Sequence, residues 1–485
     1  MDSSAANNCS SSSDDEDLLS ITPVDVDLQS DEMPEVSPQE IDSLVDQQVS
    51  KLSLKERESI TNDIYGIRPE MVETRQLIQS SLEQMDKELD RLEGISAYEM
   101  AALQDPDYVQ NESFRLRFLR TDLYDAKKAA WRLAQHFQVK LDLFGKDKLV
   151  KDITQDDLDE DTLHALYNGF SQFLPLRDRS GRLVHVQFVI PPHVDLMTKV
   201  RMDFYMCMVK SEDEATQRKG CVGIRFYNGQ WLQQKQLQHR SSVATKQPNQ
   251  TPSKFQSWQA SKLLTVVPIR PSAMHLCHDS NSIWSPVFAV MKYVMGFVLR
   301  NRTREHYGTH EQCLFELQTF GIATQNQSFP LTDDGQITTD FHQEAWNKRR
   351  NLERLRESRR NNSSGEPAPP EPEPFSISSQ HDVLLGRGKR YYEHLGNVRF
   401  RYWVASRAEQ YNSTSSVAEK KQLTSEVVEL VKQAGGRFLK DDNHAGWEQV
   451  NDETARLKVS HVFRNLRTKA KGKDGRGGEK RMREE

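Results

Sequence analysis

"RPSAMHLCHDSNSIWSPVFAVMKYVMGFVLRNRTREHYG", residues 270–308, changes its period part-way. The first ten residues read as a strand. His275 and His278 stand three apart there, so they face opposite sides and cannot chelate together. Beyond Asp279 the spacing turns helical, and Trp284, Val287, Phe288, Met291, Val294, Met295 and Val298 fall on one stripe. Such a stripe serves either as a core helix or as a helix that lines or lids an apolar pocket. The two methionines suit an adaptable lining. Lys292 and Pro286 argue against a membrane span. The stretch closes on Arg300, Arg302 and Arg304, which would complement a helix C-terminus or meet anionic headgroups at about 1 kcal/mol each.

Upstream, "GRLVHVQFVI" (181–190) and "KGCVGIRFYNG" (219–229) read as buried strands, and residues 233–257 as a polar surface insertion. In "ESFRLRFLRTDLYDAKKAAWRLAQHFQVKLDLFG" (112–145), Ala126, Ala129, Ala130, Leu133 and Phe137 make one helical face, with Asp125 where an N-cap belongs.

"FRLRFLRTDLYDAKKAAWRLAQHF" resembles the N-terminal helical part of the CRAL-TRIO family, where a Phe-Leu-Arg precedes a "D…KA" helix. "LPLRDRSGRLVHVQF" is similar to the segment in which that family's D-x-x-G-R turn feeds the first sheet strand. "VPIRPSAMHLCHD" with the apolar helix and "RNRTREHYG" resembles its strand and gating helix. Together these cover about residues 100–322. "IRFYNGQWL" departs from the family, which more usually has an Asp-Gly pair there. The resemblance implies a helical bracket followed by a mixed sheet enclosing an apolar cavity. It also implies binding of a phospholipid or other hydrophobic small molecule, exchanged with membranes. On that reading Trp284, Val287, Phe288, Met291, Met295 and Val298 line or gate the pocket.

Bulk numbers bound the rest. A chain of 485 residues is long enough for two or three domains, and 36% hydrophobic content leaves part of it unfolded. The net charge of −6 hides a gradient: residues 1–50 carry thirteen Asp/Glu and no Lys or Arg. From His381 onward there are 22 Lys/Arg against 15 Asp/Glu. An acidic head and a basic tail attract each other, or the tail seeks an anionic surface. Five cysteines without a CxxC pair read as reduced, intracellular thiols. No signal peptide and no membrane span are expected.

The predicted organisation is multidomain. A disordered acidic tail (1–55) precedes the helical part (56–180) and the α/β lipid-binding-like domain (181–325). A charged helix and Pro/Glu linker (326–376) lead to a small α+β module (377–468) and a basic disordered tail (469–485). In the module, Phe400, Trp403, Val404 and Tyr411 mark one helix, and Leu423, Val427, Leu430, Val431 and Ala434 a second, stopped at Gly435-Gly436. A hairpin follows, then a last helix capped by Asn451 or Asp452 and burying Ala455, Val459, Val462, Phe463 and Leu466. Residues 382–388, 394–400, 435–440, 446–452 and 455–464 resemble a domain of unknown function that recurs in diatom and related algal proteins, a resemblance that implies no activity.

The module opens "DVLLGRGKRYYEHLGNVRFR" (382–401), whose glycines and cations invite phosphate. No Lys-Ser/Thr follows on a strand–loop–helix frame, so a mononucleotide loop is not expected. A backbone turn, or a phosphate contact through Arg387, Lys389 and Arg390, remains open, on nucleic acid or on anionic lipid. His306, His310 and Cys313 would share a helix face, yet Gly308 interrupts it and a fourth ligand is missing, so no metal is assigned. No nucleophile–base motif occurs, so no enzyme is expected, nor any cofactor beyond a bound lipid. The leading expectation is a cytoplasmic, membrane-peripheral lipid-binding protein whose basic module contacts an anionic partner. The alternative is a nucleic-acid-associated, nuclear regulator acting through residues 377–485.

Overall fold

The computed structural model describes residues 37–191, 193–227, 263–279, 284–324, 329–361, 381–386, 388, 391–392, 394–441 and 447–481. The insertion at 233–257 and the side chains of Arg387, Lys389 and Arg390 lie outside them.

Helices begin earlier than composition suggests. α1 (Pro38–Lys51) and α2 (Leu54–Tyr65) each open on a reciprocal capping box, Ser37 with Glu40 and Ser53 with Glu56. This corrects the disordered tail expected over 1–55: residues 38–51 are helical, because a Ser-x-x-Glu box and one buried anchor, Ile41, outweigh the acidic composition. α3 (Arg75–Leu89), α4 (Ser96–Gln104), α5 (Pro106–Gln110), α6 (Glu112–Thr121) and α7 (Ala126–Phe144) share one core. Asp125 caps α7, and Ala126, Ala129, Ala130, Leu133 and Phe137 are buried as their spacing predicts.

After α8 (Glu160–Asn168) comes a five-stranded sheet: β1 (Ser171–Phe173), β2 (Leu183–Gln187), β3 (Cys221–Tyr227), β4 (Pro271–His278) and β5 (Thr303–Tyr307), side by side in that order. β1 runs antiparallel to β2 and the rest are parallel, so the sheet is mixed. The connections carry α9 (Leu196–Lys210) and α10 (Glu214–Lys219), then α11 (Trp284–Val294) and α12 (Gly296–Arg300), with α13 (His310–Thr319) after β5. Alternation along the strands splits the core. Val184, Val186, Val222, Ile224, Ala273 and Cys277 face α13, while Tyr227, Met274 and Leu276 face α11 and α12.

Two boundaries differ from the sequence pattern. The "linker" helix, α14 (Asp340–Asn361), is part of the domain: Trp346 and Leu352 are buried, Arg349 forks onto Glu212 (2.8 and 2.7 Å), and Glu353 accepts from Tyr205 at 2.9 Å. Its charges pair inward, which composition cannot reveal. The module holds β6 (Val383–Leu385), α15 (Leu395–Ser406), α16 (Ala408–Ser413), α17 (Val417–Gln433), β7 (Phe438–Asp441), β8 (Trp447–Gln449) and α18 (Asp452–Arg481). β6 pairs parallel with β7, adding a strand to the expected hairpin. α18 continues to Arg481, past the end expected at Thr468, because a helix once nucleated on a packed face adds a bond per residue fixed. Its cap is Asn451, which accepts from Thr454 N at 2.9 Å.

Candidate functional site

The apolar stripe does not form one helix. It breaks at Gly296 (φ +70°), where an added Cβ would meet nothing within 4 Å, so α11 and α12 meet at an unobstructed glycine joint. Phe288 is fully buried at the carboxyl ends of β3 and β4. It stacks on Tyr227 (centroids 5.2 Å) and meets His278 edge-on (5.0 Å). Met291 and Met295 are half-buried against this cluster, and Val298 is 59% exposed. The side chains of Trp284 and Val287 lie outside the described residues. The pocket expected beneath this stripe is therefore filled at Phe288. The reason is aromatic packing, since Tyr227, His278 and Phe288 close on one another.

The three arginines after the stripe part company. Arg300 is buried and donates to Lys292 O (2.8 Å), Tyr293 O (2.7 Å) and Gln48 Oε1 (3.1 Å), so it caps the helix carbonyls. Arg302 donates to Asp63 Oδ2 (2.9 Å) and Val298 O (2.9 Å). Arg304, on β5, is exposed and donates to Thr303 O. Thus only Arg304 of the three faces solvent in this conformation. A strand in place of a helix end separates them.

Arg302 leads to a second feature the sequence did not flag. Asp63, at the end of α2 and 4% exposed, is shared by Arg68 (2.6 Å), Arg270 (2.9 Å) and Arg302 (2.9 Å), while Arg182 donates to its backbone carbonyl. Burial pushes the Asp63 carboxyl up, yet the Arg68 hydrogen bond and the charges of Arg270 and Arg302 outweigh it and hold the group below its ordinary range. Beside it opens a cleft of about 120 Å³. Six cations (Arg68, Arg120, Arg182, Arg218, Lys219, Arg270) and three carboxylates (Asp63, Glu70, Glu73) line it, a surplus of three positive charges. Leu123 (φ +55°) and Tyr124 (φ +66°) form part of its wall in the left-handed region, at a cost of about 1–3 kcal/mol each. A smaller cavity of about 20 Å³ lies against Trp346. Neither approaches the roughly 300–1,000 Å³ of pockets that enclose a drug-sized ligand.

The histidines sort as their parity requires. His275 stacks on His306 on the α13 side, Nδ1 to Nε2 at 2.9 Å, and His306 Nδ1 meets Glu316 at 2.8 Å. His278 lies on the opposite face. His306 sits on β5 while His310 and Cys313 sit on α13, so the three do not share a helix face. Among the described residues, no three His, Cys, Asp or Glu side chains gather as a metal site, and no helix is long and apolar enough to cross a membrane.

In the C-terminal module the glycines make room for backbone. A Cβ on Gly396 would overlap the Asp382 carbonyl, one on Gly436 the His381 carbonyl, and one on Gly386 the Tyr391 ring. Asp382 accepts from Arg437 N (2.7 Å) and Nη2 (2.9 Å), closing the start of the module onto its middle. Buried His394 is pushed down to about 4 by burial. Residues 382–465 match a domain of unknown function, DUF6824. The matched residues contain these contacts except that of Gly436, whose partner His381 stands one residue before them. The CRAL-TRIO family that residues 100–322 resemble is not among the matches. No curated protein matches the chain.

On the same module, Arg401 lies 3.9 Å over the ring of Tyr392, and Tyr392 and Tyr402 are both exposed. Burial and the Arg401 charge push Lys458 down.

Proposed function

We propose that the chain binds, without catalysing a reaction, a phospholipid or another hydrophobic ligand between its mixed sheet and α11, and exchanges it with an anionic membrane surface. The observation that supports this most is the joint between α11 and α12. The apolar helix closes the carboxyl ends of the parallel strands, where ligands of open α/β sheets bind. It hangs on a glycine in the left-handed region with open space where a Cβ would stand, and glycine reaches other backbone angles at little steric cost. Rotation about Gly296 would lift Phe288 from Tyr227 and His278 and present Met291, Met295 and Val298 to a bilayer. An acyl chain moving from bilayer to protein exchanges one apolar surrounding for another at about 0.8 kcal/mol per CH₂ on each side, so transfer is near neutral. The cationic cleft and Arg304 would hold the anionic headgroups of the membrane near the opening.

Extraction of the purified full chain with organic solvent, followed by mass spectrometry, tests this directly. A stoichiometric lipid, and transfer of a labelled phospholipid between vesicles, are the expected results. No co-purifying lipid and no transfer would overturn the reading.

The aromatic and cationic patch at Tyr392, Arg401, Tyr402 and Lys458 favours a second role for the module, contact with single-stranded nucleic acid through stacking and charge. Affinity of the full chain for single-stranded RNA should fall steeply as salt rises. A flat salt dependence would remove this second role.

A further inference from the structure

On the α11 side of the sheet, polar atoms cluster where the core should be apolar. Gln187 and Arg225 are partners across β2 and β3, and Leu276 continues the row on β4. Two residues further along stand Tyr227 and His278, which hold Phe288. Gln187 is 1% exposed and its Nε2 is buried without a hydrogen-bond partner. The same is true of Arg225 Nη1 and of His278 Nε2. Asp203 on α9 packs nearby, but Lys199 holds it, and its other oxygen accepts from Ser171. Ser171 Oγ in turn meets His185 Nε2 at 2.8 Å. No carboxylate is paired with Arg225 among the described residues.

Buried donors left without acceptors are destabilising, more so when charged, so native proteins rarely keep them idle. Here two such donors, one cationic, stand side by side at the strand ends closed by the gate helix. We propose that Gln187 and Arg225 form the head site of the bound molecule, which carries an oxyanion: a carboxylate or a phosphate ester. The guanidinium supplies two-pronged recognition of either group, and the Gln187 amide a further donor. His278, lying just beyond, borders the same head. This assignment rests on the lipid-binding reading and sharpens it from any apolar ligand to one with an acidic end.

Binding of oleic acid, oleyl alcohol, oleoyl-lysophosphatidic acid and monoolein to the full chain tests it, read by displacement of a fluorescent acyl probe. The acids should bind about tenfold or more tighter than the neutral molecules of equal chain length, the worth of one charged hydrogen-bonded contact. Comparison of oleic acid with lysophosphatidic acid tells which oxyanion is preferred. Arg225→Met should abolish the preference while neutral ligands still bind, and Arg225→Lys should keep part of it. The wild-type comparison alone stays decisive if a variant does not fold. Equal affinity for oleic acid and oleyl alcohol, and for lysophosphatidic acid and monoolein, would overturn the head site and leave lipid binding standing, with water satisfying these donors. Failure of all four to bind would overturn both.

Discussion

Asn397 holds Leu384 as a neighbouring strand would: its side-chain oxygen accepts from Leu384 N at 2.7 Å and its amide donates to Leu384 O at 2.8 Å. Val383 N reaches the other way, to Arg437 O on the β7 side. One side chain thus closes the outer edge of β6, a common point of unwanted pairing. Asn397→Ala should destabilise the module by about 2–3 kcal/mol, because two buried backbone groups lose their partners at once. Hydrogen exchange of the Leu384 amide in the full chain checks this: it should become fast in the variant. Protection equal to wild type would show that the bridge contributes nothing.

The module's glycines divide by what surrounds them. Gly396→Ala drives a methyl into the Asp382 carbonyl and should unfold the module. Gly435 (φ +75°) has open space around it, so Gly435→Ala should cost only about 1 kcal/mol through its left-handed backbone. Urea melts followed by tryptophan fluorescence separate the two. Similar midpoints for both variants would refute this account.

These contrasts show what a linear sequence can convey. Helical spacing placed Ala129, Leu133 and Phe137 in the core, and strand parity sent His275 and His278 to opposite faces, because both rules are local. β5 is not legible in the sequence, since Thr303–Tyr307 is short and charged, and Arg304 reads with Arg300 and Arg302 before the strand equally as a helix end. α14 reads as a linker because a charge-rich helix looks solvated until Glu212 and Glu353 meet Arg349. The Asp63 cluster draws on Arg68, Arg270 and Arg302, up to 239 positions apart, and no spacing rule reaches that far. Gln187 and Arg225 are cross-strand partners only once the register is fixed.

The Asp63 cluster should make stability pH-dependent. Its carboxyl lies lower when folded than the ordinary value of about 3.9 it regains on unfolding. Its contribution is therefore complete above about pH 5 and fades as pH falls through the folded value. Asp63→Asn leaves three guanidinium groups without their shared counter-charge and should cost about 3 kcal/mol near neutrality. Thermal melts from pH 7 to pH 2 should show the gap between wild type and variant closing below pH 4. A gap that stays constant across that range would place the stabilisation elsewhere.

α1 packs on α11, the helix proposed to move. Two polar ties join α1 to this region, Asp42 to Lys292 at 3.3 Å and Gln48 to Arg300 at 3.1 Å, and Lys292 also pairs with Glu305 at 2.5 Å. Asp42 is largely exposed, so its ion pair is worth at most about 1 kcal/mol. The anchor is Ile41, fully buried and the sole buried side chain of α1, worth about 1.5–3 kcal/mol. Ile41→Asp should release α1 without disturbing the sheet. Residues 284–300 should then exchange amide hydrogens faster, and the full chain should bind anionic vesicles more tightly than wild type. Asp42→Asn should do little to either. If Ile41→Asp speeds exchange only within α1, then α1 rests on α11 without restraining it.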